Sequence, residues 1–320
     1  MHVGVLFGDP RLPYAYSPTG QFGEEELKGI EAVKEAFGSM PEHRVSYFDD
    51  HESLLTELPF NRPELVLNLC DTGYRNRWEL ELTIPAFLEL LDIPYTGADP
   101  AAIVRSNDKA VVSNTGKLRG VAVPEELFVD LRIEPFAVPQ SYPALVKPNV
   151  SCGSTGVTER SLVHDPEEAL ATLRWLRDEL EVGEALVQQY LPGAEYTVGC
   201  LGNAALAGED SDFQVLPPLE VDFGKLDPSL PKILTHASKA EPDSPYWTDV
   251  TFRRAEVDEA TMATIREACR RLCLSLGLRD YARIDFRCDA EGVPHLLDAN
   301  VNPTWVKGGK LATMAEWVGL

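Results

Sequence analysis

The chain has 320 residues, 44% of them hydrophobic and 25% charged, with a formal net charge of −22. That is ordinary globular composition, long enough for two or three domains with substantial cores. The acidity excludes nucleic-acid and anionic-membrane partners, because phosphate backbones demand a basic footprint, and no stretch approaches the roughly 20 apolar residues of a membrane span.

In chain order, "HVGVLFG" (2–8) reads as a short buried strand already inside the fold, so no secretory signal is expected. A Gly/Pro-rich loop runs to about Gly23. Glu24, Glu25 and Glu26 are favourable at a helix N-terminus, and Leu27, Ile30, Val33 and Phe37 follow at helical spacing. "RVSYF" (44–48) and "ELVLNL" (64–69) read as further strands, and "LTIPAFLELLDIPYTG" as a helix and a short strand. Alternating strands and helices imply a parallel α/β unit over residues 1–105. A helix at 108–118, strands at 126–130 and 143–148, a Gly/Ser loop at 151–156 and a helix at 166–180 make a small α+β unit over 106–184. The third unit, 185–320, opens with "ALVQQYLPGAEYTVGCLG" and continues through a long proline-rich loop (216–249) and an amphipathic helix (258–276). It ends in a hairpin of strands 281–288 and 294–300 joined by "DAEG". The six cysteines are scattered, without zinc-ligand spacing, which fits a reduced cytoplasm.

The hairpin carries the first chemical signal. Side chains alternate across a strand, so Arg283 and Asp285 share one face, as do Asp298 and Asn300 on the partner strand. The turn puts Asp285 nearly opposite Asp298. Carboxylates that close repel, and a divalent ion with hard-oxygen preference, magnesium or manganese, removes the conflict. A solvent-facing polar hairpin is the alternative, and the flanking Ile284, Leu296 and Leu297 weigh against it. "ALVKPNVSCGSTG" places Lys147 at the end of an apolar strand before a loop of small residues, where backbone N–H groups can approach phosphate oxygens. A plain turn is equally compatible with that loop alone. In "ALVQQYLPGAEYTV" exposed backbone near Gln188, Tyr190 and Leu191 could pair with an adenine edge, and Glu195 could accept ribose hydroxyls. A structural strand and turn is the plainer reading of that segment.

In sequence order, "GVLFG", "LELLDIPYTGADP" leading to "NDK", "LVKPNVSCGSTG", "VQQYLPGAEYTVG", "ARIDF" and "LLDANVNP" resemble the ATP-grasp fold, specifically the D-alanine–D-alanine ligase family. The resemblance spans nearly the whole chain. It implies an N-terminal parallel α/β domain followed by two α+β subdomains that hold ATP and two magnesium ions between them. By resemblance, Lys109 and Lys147 hold ATP phosphates and Ser154 lies in the loop that closes over them. Gln188, Tyr190 and Leu191 sit at the adenine hinge, and Glu195 at the ribose. Lys239, on a mobile loop, reaches the γ-phosphate. Asp285, Asp298 and Asn300 bind the metals, and Arg283 with the backbone N–H of Thr304 stabilises an oxyanion. The implied reaction activates an amino-acid carboxylate as an acyl phosphate and joins it to an amine. The family also implies a homodimer with small-molecule substrates.

Several positions depart from the ligases proper. Their N-terminal acidic motif is absent, their first loop serine is Gly153 here, and the tyrosine after the loop lysine is Ala240. Gln188 and Asp298 stand where glutamates are usual, and Lys307 and Lys310 follow the metal strand. The substrates implied are therefore other than two D-alanines. A cell-wall D-alanine–D-alanine ligase is the second reading, and an ATP-binding regulator without catalysis the third.

Overall fold

The computed structural model describes residues 1–15, 17, 19–206, 213–304 and 306–320. Tyr16 and Pro18 of the expected N-terminal loop lie outside the described residues.

The first sheet is built from β1 (His2–Leu6), β2 (Arg44–Phe48) and β3 (Leu65–Asn68), all parallel in the order β2-β1-β3. Its crossovers are α1 (Glu24–Gly38) and α2 (Leu54–Phe60), and α3 (Thr83–Leu90) follows β3. Parallel sheets bury both faces, and β1 shows it. Val3, Val5 and Phe7 pack with Ile30 of α1, while Leu6 packs with Leu54 and Leu58 of α2 and Leu88 of α3.

Next come α4 (Pro100–Asn107) and α5 (Lys109–Leu118), capped by Asp99 and Asp108, whose carboxylates accept from Ala102 and Val111 N–H. The central sheet follows: β4 (Glu126–Asp130), β5 (Ala144–Pro148), β6 (Leu162–Val163), α6 (Pro166–Leu180) and β7 (Glu184–Gln189), with strand order β4-β7-β5-β6. Ala144, Val146, Ala185 and Val187 face Leu173 and Leu176 of α6.

The last sheet holds β8 (Glu195–Leu201), β9 (Gln214–Val215), β10 (Leu219–Asp222), β11 (Thr251–Arg254), β12 (Tyr281–Cys288) and β13 (Pro294–Asn300). Between its strands lie α7 (Ala237–Ala240), α8 (Pro245–Thr248) and α9 (Glu259–Leu276), and α10 (Lys310–Glu316) follows β13. One face is apolar: Val198, Cys200, Ala282, Ile284, Phe286 and Ala299 pack on α9 through Ile265, Cys269 and Leu272. The six cysteines are all free thiols.

Packing divides the chain differently from the expected 1–105, 106–184 and 185–320. Ala102 and Ile103 of α4 and Val112 of α5 belong to the core under the last sheet, not to the first or central sheet. Gly116 allows that approach, since a Cβ there would lie 2.9 Å from Leu296. The segment expected to open the third unit splits between two sheets: β7 pairs with β4 and β5, and the chain crosses to β8 at 190–194. The expected proline-rich loop also contains β10, α7 and α8.

Candidate active site

Strand alternation turns two polar faces toward each other. On the central sheet the residues pointing away from α6 include Lys147 and Gln188. On the last sheet the face opposite the α9 core carries Glu195 and Thr197 of β8, Arg283, Asp285 and Arg287 of β12, and Asp298 and Asn300 of β13. Asp285 pairs directly with Asp298, and Arg283 with Asn300. The ladder then breaks: a β-bulge after Asp285 leaves Leu297 unpaired, so Phe286 faces Leu296. Residues two apart normally share a face. The bulge is therefore what lets Leu296 enter the core while Asp298 points into the cleft. The freed Leu297 carbonyl accepts a hydrogen bond from Lys147 Nζ at 3.5 Å, which ties the two sheets together.

Around these acids the cleft is crowded with cations. Asp285 accepts from Thr197 Oγ1 at 2.8 Å, from Arg283 Nε and Nη2 at 3.2 Å each, and from Asn300 Nδ2 at 3.0 Å. Burial pushes the Asp285 pKa up, but Arg283, Lys310 and Thr197 outweigh it and hold the carboxyl below its ordinary range. Lys109 lies 3.9 Å from Asp298 and donates to Ser151. Lys147 is brought down to about 8, by burial first and by neighbouring Lys109, against the pull of Asp298. Lys310 is brought down to about 7, again by burial first, then by Arg283. Lys239 is open to the cleft yet also lowered, by its desolvating surroundings and then Arg283. With Glu195 paired to Arg287, Asp285 and Asp298 alone do not balance Lys109, Lys147, Lys239, Lys310 and Arg283. Cations left in excess along one cleft make a site for a polyanion.

The Gly/Ser loop and the segment carrying Lys239 are closed on each other. Lys239 Nζ donates to Ser154 Oγ at 2.9 Å, and His236 N–H to the Val157 carbonyl at 2.9 Å. Gly153 and Ser154 both take φ near +61°, which turns the loop sharply above Lys109. At the other end of the cleft, Gln188 Nε2 donates to Glu126 at 3.2 Å. Arg287 gathers the crossing segment: it donates to the Leu191 carbonyl, to Glu195 Oε2 at 2.8 Å and to Tyr190 Oη at 3.0 Å. Burial raises the Glu195 pKa and Arg287 opposes the rise. Among the described residues, Glu195 Oε1 and the Leu191 N–H have no hydrogen-bond partner. Both are free to meet a ligand.

The sequence-derived residues thus fall along one cleft, from Gln188, Tyr190, Leu191 and Glu195 through Lys147 and Lys109 to Asp285, Asp298, Asn300 and Arg283. Ser154 and Lys239 lie above it, and Thr304 stands exposed just past β13. Glu126, Thr197 and Arg287 were not legible in the sequence, because their importance lies in partners on other strands. Among the described residues no three His, Cys, Asp or Glu side chains cluster as a metal site. The donors present are two carboxylates and the Asn300 amide, all hard oxygens. That set fits magnesium completed by phosphate oxygens.

A family model described as the D-ala D-ala ligase C-terminus matches residues 133–320. The chain is 28% identical over 280 residues to the D-alanine–D-alanine ligase of Bordetella petrii, covering 85% of this chain and 77% of that one. It is 27% identical over 324 residues to the corresponding ligase of Aquifex aeolicus, covering 100% and 96%. The fold is shared with D-alanine–D-alanine ligase from Bacillus anthracis complexed with ATP (TM-score 0.70, 17% identity, 100% and 92% covered). It is also shared with the VanG D-Ala:D-Ser ligase from Enterococcus faecalis (TM-score 0.68, 18% identity, 100% and 95% covered). With its model match covering more than half its length, this chain belongs to the D-alanine–D-alanine ligase family of ATP-grasp enzymes, ligases that form C–N bonds.

Proposed function

We propose that the chain is an ATP-dependent carboxylate–amine ligase acting on amino acids other than two D-alanines, with ADP and phosphate as its other products. The observation that carries the reading is the excess of cations, Lys109, Lys147, Lys239, Lys310 and Arg283, around the Asp285–Asp298–Asn300 face. Nucleotide binding alone does not require an arginine beside the metal donors.

The protein's own groups divide the work. Leu191 N–H and Glu195 Oε1 orient the base and ribose, while Lys109 and Lys147 hold the phosphates. Asp285, Asp298 and Asn300 would hold magnesium, which would supply positive charge against that of the transferring phosphate. Lys239 and Ser154 cover the γ-phosphate and exclude water, which would otherwise hydrolyse the acyl phosphate. In that step a substrate carboxylate oxygen bonds to the γ-phosphorus and the ADP oxygen leaves. An amine then attacks the acyl carbon, Arg283 and the Thr304 N–H stabilise the oxyanion, and phosphate departs. Six free thiols fit a reduced cytoplasm.

The substrate reading rests on the closed loop pair. Ser154 and Lys239 meet there, but Gly153 and Ala240 beside them supply no side-chain donor where the ligases carry serine and tyrosine. D-Alanyl-D-alanine ligation is the second reading, favoured by the names of the relatives at 27% and 28% identity. Phosphate release across a panel of D- and L-amino acids, with mass spectrometry of the products, separates the two. Release that requires a pair other than two D-alanines is expected. Fast release with D-alanine alone establishes the second reading, and no release with any carboxylate defeats both.

A further inference from the structure

Gln188 is 2% exposed, and its amide is held in one orientation. On β7 it pairs with Glu126 of β4 on one side and with Leu145 of β5 on the other. Cross-strand partners share a face, so these side chains point away from α6, with Lys147 two residues further along β5. The Glu126 side chain is 6% exposed, and both its oxygens are engaged. Oε1 accepts from Lys117 Nζ of α5 at 2.9 Å, and Oε2 accepts from Gln188 Nε2 at 3.2 Å. A carboxylate can only accept, so the amide nitrogen of Gln188 must face Glu126 and its amide oxygen must face the other way. Turned over, the amide would set its oxygen against the carboxylate, two acceptors in contact with no proton between them.

Among the described residues neither Gln188 Oε1 nor the Leu191 N–H has a protein partner. One is an acceptor and the other a donor. The Leu191 peptide is held from the opposite sheet, because Arg287 donates to its carbonyl. On one edge of adenine the 6-amino group donates and N1 accepts. A 6-oxopurine reverses both: its O6 accepts and its N1–H donates. The protein edge therefore matches adenine and opposes a 6-oxopurine, for as long as the Gln188 amide keeps its orientation.

We propose that Glu126 is a positioning residue for nucleotide choice: by holding the Gln188 amide oxygen toward the base, it makes the cleft take a 6-aminopurine triphosphate and reject a 6-oxopurine triphosphate. The inference rests on the ATP-dependent reading of the cleft. It adds that base discrimination is set by a side chain acting through Gln188, in a chain of contacts running from Lys117 on α5 to β4 and β7. Glu126 also attracts the Lys147 ammonium. That attraction acts on the phosphates, which the two classes of nucleotide share, so its loss moves both affinities together. Only the orientation of the amide moves their ratio.

The test is calorimetric binding of ATP and of ITP to the full chain, with magnesium and without amino acid. ITP differs from ATP only in the 6-substituent and the proton on N1. The wild-type protein is expected to bind ATP roughly tenfold to a hundredfold more tightly than ITP, the cost of leaving such polar groups mismatched. In Glu126→Gln the new side chain can keep its oxygen on Lys117 and turn its amide nitrogen to Gln188. That favours the turned Gln188 amide, and the ATP-to-ITP ratio should fall toward one. In a Gln188→Leu background the same substitution should leave the ratio unchanged, because the group it orients is gone. A structural disturbance would weaken both nucleotides and leave the ratio alone. A wild-type ratio near one, an undiminished ATP preference in folded Glu126→Gln, or a shift that persists without Gln188 overturns the inference, while tight ATP binding leaves the reading of the cleft standing. Binding of neither nucleotide would defeat that reading and the inference with it.

Discussion

Asp298 is one methylene shorter than the glutamate usual in the ligases, and it reaches the cleft only because the strand bulges just before it. Its own Oδ1 accepts from the Ala299 N–H at 3.0 Å, which leaves Oδ2 toward Lys109 and available to the proposed magnesium. Asp298→Asn keeps the shape and removes the charge. Its ATP-dependent phosphate release is expected to fall by at least about a hundredfold, the loss typical of one electrostatic stabiliser, with the melting temperature within a few degrees of wild type. Near-normal turnover would remove Asp298 from the metal set. Lys147 supplies a pH signature. Its folded pKa of about 8 means that it loses its proton as pH rises through that value, and a neutral amine holds phosphate poorly. Affinity for the nucleotide is therefore expected to weaken as pH rises above about 8, a bend separate from any that Lys310 adds near 7. Lys147→Arg, charged throughout, should flatten the curve; an identical bend in that variant would assign the titration to another group. Much of this was legible in the sequence, since Asp285, Asp298 and Asn300 stand out as polar residues in apolar strands. Arg287 was not: nothing beside it in "ARIDFRC" announces that it joins Leu191, Glu195 and Tyr190.

At the scale of elements, the hairpin was readable because period-two alternation and a short turn fix which residues share a face. The bulge at Leu297 was invisible, because "LLD" reads equally well as a regular strand. The split of 185–202 between two sheets was also invisible, since both halves are apolar and only tertiary pairing separates them. That crossing depends on Gly193. A Cβ there would lie 2.6 Å from the carbonyl oxygens of Cys288 and Asp289, while the Gly193 N–H donates to the first of them at 2.9 Å. Gly193→Val must push β8 away from the end of β12. It is expected to cost about 1–3 kcal/mol in urea unfolding, as overpacking does, and to weaken nucleotide binding through a displaced Glu195. Unchanged stability and affinity would show that the crossing is more compliant than its packing indicates.

Across the whole molecule, the first sheet and the last are held by a few polar contacts as well as by the cleft. Tyr281 reaches Asn68, and Asn302 Nδ2 donates to Glu81 at 2.7 Å. Burial, partly opposed by Asn302, pushes the Glu81 pKa up to about 7. Between about 4.5 and 7 the folded protein therefore keeps a proton that the unfolded chain has released. The contribution of Glu81 is full below about 4.5 and is lost as pH rises through 7. Glu81→Gln should remove that part of the pH dependence of the melting temperature; an unaltered profile would assign it elsewhere. Composition and alternation identified an α/β unit followed by α+β units, but not that α4 and α5 pack beneath the last sheet, because helix periodicity does not name the partner surface. If a substrate carboxylate takes the γ-phosphoryl group inside the closed cleft, an amino acid that supports turnover, labelled with ¹⁸O in both carboxylate oxygens, passes one ¹⁸O to each inorganic phosphate released; phosphate free of ¹⁸O would instead mean attack by water.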